Sequence, residues 1–138
     1  MARADKFTPA EAQNKDVYSD FLINFDLNPI TGNLAKVTNE DAVKQSIRQL
    51  LLTNRGERLY QPLTGARLSA LLFENDTIVS MSALDKEIRE TIELFEPRIN
   101  VEQLNLVEMD YEIQVTLVFS IINKPEIYDM NIILQRVR

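Results

Sequence analysis

The spacing of apolar and polar residues predicts a strand and a turn near the start of the chain. Phe21, Ile23 and Phe25 occupy alternate positions within residues 18–26, which is typical of a half-buried strand. Residues 28–33 then combine Asn, Pro, Thr and Gly, which favour a reversal of chain direction. This region is therefore interpreted as one short strand followed by a loop.

The first helical pattern begins after Thr38. Thr38 and Asp41 resemble a capping box, in which the hydroxyl accepts a hydrogen bond from an amide and the carboxylate complements the helix dipole. Gly56 is placed to end this helix, because glycine readily adopts the left-handed conformation found at helix C-termini. Apolar residues then recur at the spacing of one helix face: Val43, Ile47, Leu50 and Leu51.

A short connector helix is predicted next. Pro62 and Gly65 interrupt the pattern before it, and the helix ends near Asn75 and Asp76. One side of this connector is apolar, because every third or fourth position carries a leucine. The residues concerned are Leu68, Leu71 and Leu72.

The second main helix is predicted between a cap and a proline. Ser82 with Asp85 offers the cap, and Pro97 ends the helix because proline disfavours helical geometry in the residue before it. Its apolar stripe is formed by Leu84, Ile88, Ile92 and Phe95.

From Asn100 onward the period changes to two, which predicts three antiparallel strands. Apolar residues occupy both faces of residues 100–108, so the buried face of the first strand is left open. A tight hairpin at residues 109–110 and a turn at residues 123–126 separate the strands. The second strand has one apolar face made of Tyr111, Ile113, Val115, Leu117, Phe119 and Ile121. The third has Met130, Ile132 and Leu134 on one face.

These elements predict an α+β fold. Two main amphipathic helices and a short connector helix pack on a C-terminal antiparallel three-stranded meander, with a short N-terminal strand. Residues 1–17 show no apolar period and are expected to form a flexible arm that a partner could order. Residues 18–138 are expected to form a single domain, since this length is close to the commonest domain size.

Composition removes most enzymatic and many binding functions. The chain has no Cys and no His, which excludes disulfides, thiolate or Ser-His-Asp nucleophiles and imidazole zinc sites. Its formal charge is -6, so attraction to nucleic acid or an anionic membrane is not expected. No apolar run is long enough for a membrane helix or a signal core. We therefore expect protein partners, no cofactor, and a chain that stays where it is made.

Three stretches within residues 40–138 together resemble one family. They are the helix and its exit at residues 46–58, SIRQLLLTNRGER; Pro62 and Gly65 leading into residues 68–74, LSALLFE; and the triplet Glu96-Pro97-Arg98 before the strands. Their order and spacing resemble the baseplate wedge family of contractile injection machines, typified by the "tail lysozyme-like" protein of T-even phages. The family also resembles the corresponding wedge subunit of type VI secretion.

The resemblance implies a structural role rather than catalysis. It implies a wedge subunit of the tail baseplate, near the inner ring where the contractile sheath begins, with six copies in a six-fold assembly. The partners it implies are other wedge proteins and the tail sheath protein, within a particle assembled in the host cytoplasm. No muramidase signature accompanies the resemblance, so we expect no enzymatic activity.

Two charged segments are candidate partner-binding sites. In Glu96-Pro97-Arg98, either Arg98 pairs locally at a helix end, or its planar fork binds a carboxylate or helix end of a partner while Glu96 holds it. In Arg55-Gly56-Glu57-Arg58, either the turn is solvated, or its charges form an ion-pair network against the Glu96-Arg98 corner. We favour the partner-binding role for the first segment.

The last strand is a candidate sheath-binding edge. A terminal strand often lies at the edge of a sheet, where unpaired main-chain groups can accept another chain. Arg136 and Arg138 could instead act as gatekeepers against unwanted pairing. The residues assigned to the sheath-facing strand are Met130, Ile132, Leu134 and Arg136.

Acidic residues leave a hydrolase as the rival interpretation. Asp85, Glu87, Glu90 and Glu93 crowd the second helix, but their spacing favours a solvated face over a catalytic pair. A peptidoglycan hydrolase would need Glu57 or Glu96 in an apolar cleft, which the pattern does not show. A third possibility is an assembly factor that is absent from the mature virion.

Overall fold

The computed structural model describes residues 17–72, 77–122 and 124–135. It has the predicted mixed α+β architecture, with a short N-terminal strand pair added. The predicted arm lies outside the described residues except for Val17, whose main-chain N–H donates to the Asn39 side chain at 3.0 Å. The elements are β1 Ser19–Phe21, β2 Lys36–Thr38, α1 Asn39–Leu52, α2 Leu68–Leu72, α3 Thr77–Phe95, β3 Ile99–Glu108, β4 Glu112–Ile121 and β5 Ile127–Gln135.

The three long strands form an antiparallel sheet in the order β3-β4-β5. The inward side chains of β4 and β5 are buried against the helices, and the outward ones are partly or fully exposed. Polar pairs cross the outward face, including Thr116 to Asn131 and Ser120 to Glu102, both at 2.8 Å. The helices therefore cover one face of the meander, as predicted.

A β-bulge explains why the buried face of β3 could not be assigned from the sequence. The register against β4 shifts between Val101 and Gln103. Ile99 is buried before the bulge and Leu104 after it, so the inward set changes from odd to even residue numbers. One extra residue in a strand reverses the side-chain alternation.

The apolar stripes of both main helices, the start of α1 and the end of α3 are confirmed, but the capping and end of α1 and the start of α3 differ from the prediction. Thr38 does occupy the N-cap, but its side chain makes no capping hydrogen bond. The amide of Asn39 instead donates to the Tyr18 carbonyl at 2.8 Å, which ties the helix start to the chain before β1. Ser82 lies inside α3, which begins earlier, at Thr77, because no helix-breaking residue separates the two positions.

Gly56 does not end α1, contrary to prediction. The helix ends at Leu52, and Thr53 is extended with φ -84° and ψ 124°. The carbonyl of Thr53 accepts the amide of Ala66 at 3.0 Å, which draws the chain away from the helix axis. Gly56, with φ 92°, serves the loop that follows.

The N-terminal strand is shorter than predicted and belongs to a hairpin. β1 pairs with β2, a strand that the pattern did not reveal. Ile23 and Phe25 are exposed, because a local turn at residues 22–25, in which Phe25 takes φ 54°, interrupts the strand before Leu27 pairs with Leu34. Tyr111 is likewise exposed and lies just outside β4.

Candidate partner-docking site

The Glu96-Pro97-Arg98 corner joins the end of α3 to the start of β3. The amide of Glu96 still donates to the Ile92 carbonyl at 2.8 Å, and Pro97 then stops the helix. The carbonyl of Arg98 accepts the Ile122 amide at 2.9 Å, which fixes the corner against the end of β4. The Glu96 residue is only 3% exposed, so its charge is held away from water.

The buried Glu96 carboxylate is satisfied by two other parts of the chain. Arg98 donates to it through Nε at 2.5 Å and Nη2 at 2.7 Å, and the Ser46 hydroxyl of α1 donates at 2.6 Å. The guanidinium also lies over the Tyr18 ring, 5.1 Å from its centroid. The hydrogen bond to Glu96 raises the pKa of Arg98 above its ordinary value, although burial opposes this shift. The corner therefore ties together α1, α3 and the chain before β1.

This geometry limits what Arg98 offers a partner. Its fork is directed at Glu96 inside the chain, as the local-pairing alternative requires, and 35% of its side chain remains exposed. A partner carboxylate can reach only the outer side of this side chain. The corner thus presents a fixed guanidinium edge, with Glu96 holding it in place.

The turn after α1 is fastened to α3 and not to the Glu96 corner. Arg55 reaches Glu87 at 3.4 Å, and the main-chain amide of Arg67 donates to the same carboxylate at 3.1 Å. Glu87 is therefore buried and paired, so the predicted solvated position is wrong for it. The alternative of an ion-pair network against the Glu96-Arg98 corner does not form for Arg55, because Arg55 pairs with Glu87 of α3. Glu57 turns back to accept the Asn54 amide at 2.9 Å.

Main-chain contacts hold the loop between α1 and α2 in a fixed shape. The amide of Gly56 donates to the Pro62 carbonyl at 2.8 Å, and a parallel bridge pairs Asn54 with Ala66. Gly65 has φ 114°, and a Cβ there would collide with the Thr53 carbonyl. The loop therefore presents Arg58 in a defined position, where it pairs with none of the described residues.

The β5 strand is an edge of the sheet, since β4 is its one paired neighbour among the described residues. The side chains of Met130, Ile132 and Leu134 point into the core and are buried. They support the strand from inside, which leaves its main chain and its outward side chains for any added strand. Arg136 lies outside the described residues.

The remaining acidic residues of α3 form no catalytic arrangement in the described ranges. Glu90 and Glu93 are exposed, and Asp85 pairs with Arg89 at 2.9 Å one helical turn away. No group of three or more acidic residues that could hold a metal ion occurs among them. None of the helices in residues 17–72, 77–122 and 124–135 is long and apolar enough to cross a membrane.

Sequence reasoning missed the two residues that complete the Glu96 corner. Ser46 lies on α1, 50 positions from Glu96, and Tyr18 lies in the segment before β1. Neither belongs to a local pattern that predicts a contact so far away in the chain. The position of Ser46 at the start of a stretch that resembles the family was the only signal that could have drawn attention to it.

Comparison with known proteins supplies the decisive observation. The family described as "Baseplate wedge protein gp25" matches residues 37–126, which include α1, both charged segments and β4. The chain belongs to this baseplate wedge family. The gp25 baseplate wedge protein of Enterobacteria phage T4 is 31% identical over 87 residues, 62% of this chain and 66% of that relative. The predicted family, and with it the tail baseplate as location, is confirmed.

Solved structures share the fold of this baseplate wedge family member. A crystal structure of a candidate tail lysozyme from Geobacter sulfurreducens has a TM-score of 0.67 at 20% identity, covering 72% of this chain and 92% of that one. A chain of the anti-feeding prophage baseplate has a TM-score of 0.62 at 20% identity, covering 88% and 87%. A chain of the post-contraction pyocin R2 baseplate has a TM-score of 0.56 at 22% identity, covering 70% and 96%.

Proposed function

We propose that the chain docks onto other wedge proteins through the Glu96-Arg98 corner and the Arg55-Arg58 turn, and templates the first sheath ring with β5. Repeated copies, six in a six-fold baseplate, would then offer six strand edges to the sheath. Family membership supports the wedge role. The edge position of β5 is the observation that carries the sheath role.

The main chain of β5 is suited to strand addition. We infer that the Asn131 carbonyl, which the Arg48 guanidinium of α1 contacts at 3.5 Å, points away from β4. In an antiparallel strand, the N–H and C=O of one residue point to the same side, so the Asn131 amide also faces outward. An incoming strand can therefore pair with β5 without disturbing the bonds to β4.

A proline variant tests the sheath role. Asn131→Pro removes an outward amide, which should block strand addition while β4 pairing persists. Asn131→Ala is the matched control, because both variants lose the side-chain hydrogen bond with Thr116 and only one loses the amide. We expect baseplates without attached sheath for Asn131→Pro and sheathed tails for Asn131→Ala. Normal sheathed tails in both variants would exclude the template role.

A cryo-EM map of the intact particle tests the wedge role. We expect the chain at the junction of baseplate and sheath, with the exposed edge of Arg98 against a wedge protein. A mature particle without the chain would favour the assembly-factor alternative.

We further propose that the chain acts by binding alone. The buried carboxylates of Glu87 and Glu96 are held by arginines and hydrogen-bond donors inside the fold, and neither lines the grooves of about 690 Å³ and 470 Å³ in the described part of the chain. Purified protein incubated with peptidoglycan should release no soluble sugar. Release that disappears in Glu57→Gln or Glu96→Gln would establish the hydrolase instead.

A further inference from the structure

Two adjoining surface grooves lie along the outward side of α1. The larger, about 690 Å³, runs between α1 and the loop that follows it, with Leu50, Tyr60, Leu63 and Phe95 among its walls. The smaller, about 320 Å³, is lined by Ile23, Leu52 and Arg48 among others. Both are also lined by Gln49 and Arg58, so they form one depression, which we call the α1 groove.

The walls of the α1 groove expose large apolar side chains from a fixed backbone. Tyr60 is 97% exposed, Leu63 74% and Leu52 54%. The loop that carries Tyr60 and Leu63 is closed by main-chain hydrogen bonds, including Thr64 to Gln61 at 3.0 Å. Large apolar side chains exposed together around one groove are typical of an interaction site.

The charge of the α1 groove is opposite to that of the whole chain. Among the described residues, the charged ones that line it are Arg48 and Arg58 and none is a carboxylate, although the chain carries a net charge of -6. Arg58 has no partner among the described residues, and Arg48 contacts one carbonyl at 3.5 Å. The neighbouring Glu57 is turned away to the Asn54 amide. Arg58 is thus free to bind a carboxylate from outside, and Arg48 keeps guanidinium donors beyond its one long contact.

We propose that the α1 groove binds an acidic amphipathic helix of another protein, one whose apolar face is flanked by Asp or Glu. This inference rests on the proposed wedge function and names the chemistry of one partner segment. The guanidinium forks of Arg48 and Arg58 bind carboxylates in two-point contacts, and they repel a basic segment. The described groove walls are α1, the closed loop, Phe95 at the end of α3 and Ile23 after β1, and none of these is a free strand edge. A helix fits such a site, because its own main chain is already hydrogen-bonded.

Photo-crosslinking in assembled particles tests this proposal directly. The full-length chain carries p-benzoylphenylalanine in place of Leu63, and the crosslinked peptide is identified by mass spectrometry. We expect a helical segment of a different protein with carboxylates next to apolar residues. A crosslink to a second copy of this chain, to its own residues 1–16, or to a segment without carboxylates would overturn the proposal.

Charge reversal shows whether Arg58 selects the partner. Arg58→Glu should lower the crosslink yield about tenfold, because it places like charges together. Exchanging the facing carboxylate of the captured segment for lysine should restore the yield. Lys86→Glu is the matched control, since it reverses an exposed charge on α3 outside the groove, and its yield should not change. An undiminished yield with Arg58→Glu would refute charge recognition.

The outcomes separate this inference from the wedge function. Particles that contain the chain and yield no crosslink, or the wrong one, refute the α1 groove assignment and leave the wedge role standing. Particles that lack the chain altogether refute the wedge role itself.

Discussion

Arg98 and Arg58 are both arginines of segments that resemble the family, but the fold uses them in opposite ways. Arg98 donates twice to a buried carboxylate and lies over an aromatic ring. Arg58 stands on an exposed loop and pairs with none of the described residues. An arginine of such a segment can therefore either stabilise its own fold or remain available to bind another protein. The two cases differ in whether a buried carboxylate of the same chain accepts its hydrogen bonds.

Arg55 is intermediate between these extremes. Its side chain is 34% exposed, much like that of Arg98, but it makes one contact of 3.4 Å with Glu87 instead of two short ones. The contrast predicts that substitutions lower the free energy of unfolding by graded amounts. The loss should be large at Arg98, moderate at Glu87, which is the partner of Arg55, and near zero at Arg58.

Removal of Arg98 should have the largest effect. Arg98→Ala leaves the buried Glu96 carboxylate with Ser46 as its remaining side-chain donor, which should lower the free energy of unfolding by about 3 kcal/mol. Urea unfolding followed by circular dichroism measures the loss. The double variant Glu96→Leu with Arg98→Met removes both charges and should recover most of it. If Arg98→Ala unfolds at the wild-type urea concentration, the corner is not a structural ion pair.

Removal of the charge on Glu87 should have a moderate effect. Glu87→Gln keeps the size of the side chain but weakens its contacts with Arg55 and the Arg67 amide, which should cost about 1.5 kcal/mol. The same urea experiment applies, and Glu90→Gln is the control because that carboxylate is exposed. Equal losses for the two variants would contradict the role of Glu87 as the anchor of the turn.

A smaller effect on stability is expected at Tyr128, whose hydrogen-bonded pair lies near the surface and can be compared with the buried pairs. The Tyr128 hydroxyl donates to Glu126, and this hydrogen bond, with burial, raises its pKa to about 12. The resulting stability is present below the ordinary tyrosine pKa of about 10 and is lost as the pH rises through about 12. Ultraviolet absorbance titration, with Tyr128→Phe subtracted, measures this pKa. Glu126→Gln should return it toward the ordinary value, and an unchanged pKa would exclude the hydrogen bond as its cause.

The smallest effect on stability is expected at Arg58. Arg58→Ala should change the free energy of unfolding by less than about 0.5 kcal/mol, because no described residue loses a partner. The same variant should nevertheless impair baseplate assembly, which can be scored from particles by electron microscopy. A large loss of stability would show that Arg58 stabilises the fold, as Arg98 does.

The sequence predicted those parts of the fold that depend on local periodicity. The stripe of α1 and the alternation of β4 each repeat over several turns or residues, so burial of one face follows from the spacing alone. The bulge in β3 and the strand β2 could not be predicted in this way, because a shift of one residue and a three-residue strand leave no repeating pattern.

The candidate site was predicted in part, for a similar reason. Pro97 and the helix end at the corner are local features, and the alternative of local pairing for Arg98 agrees with the geometry. The contacts of Glu96 with Ser46 and of Arg55 with Glu87 join positions 50 and 32 residues apart. The polar face of α3 therefore gave no reason to separate Glu87 from Glu90, although only Glu87 lies under the turn.

The connectivity of the main sheet has a consequence for how the protein is made. Each pairing in the order β3-β4-β5 joins strands that follow one another in the chain, so the sheet consists of two short hairpins. Local pairings of this kind fold quickly and need no partner. A newly synthesised subunit then carries an exposed strand edge before any baseplate exists, and such an edge promotes aggregation. Production of this chain in excess of its partners should therefore give insoluble protein.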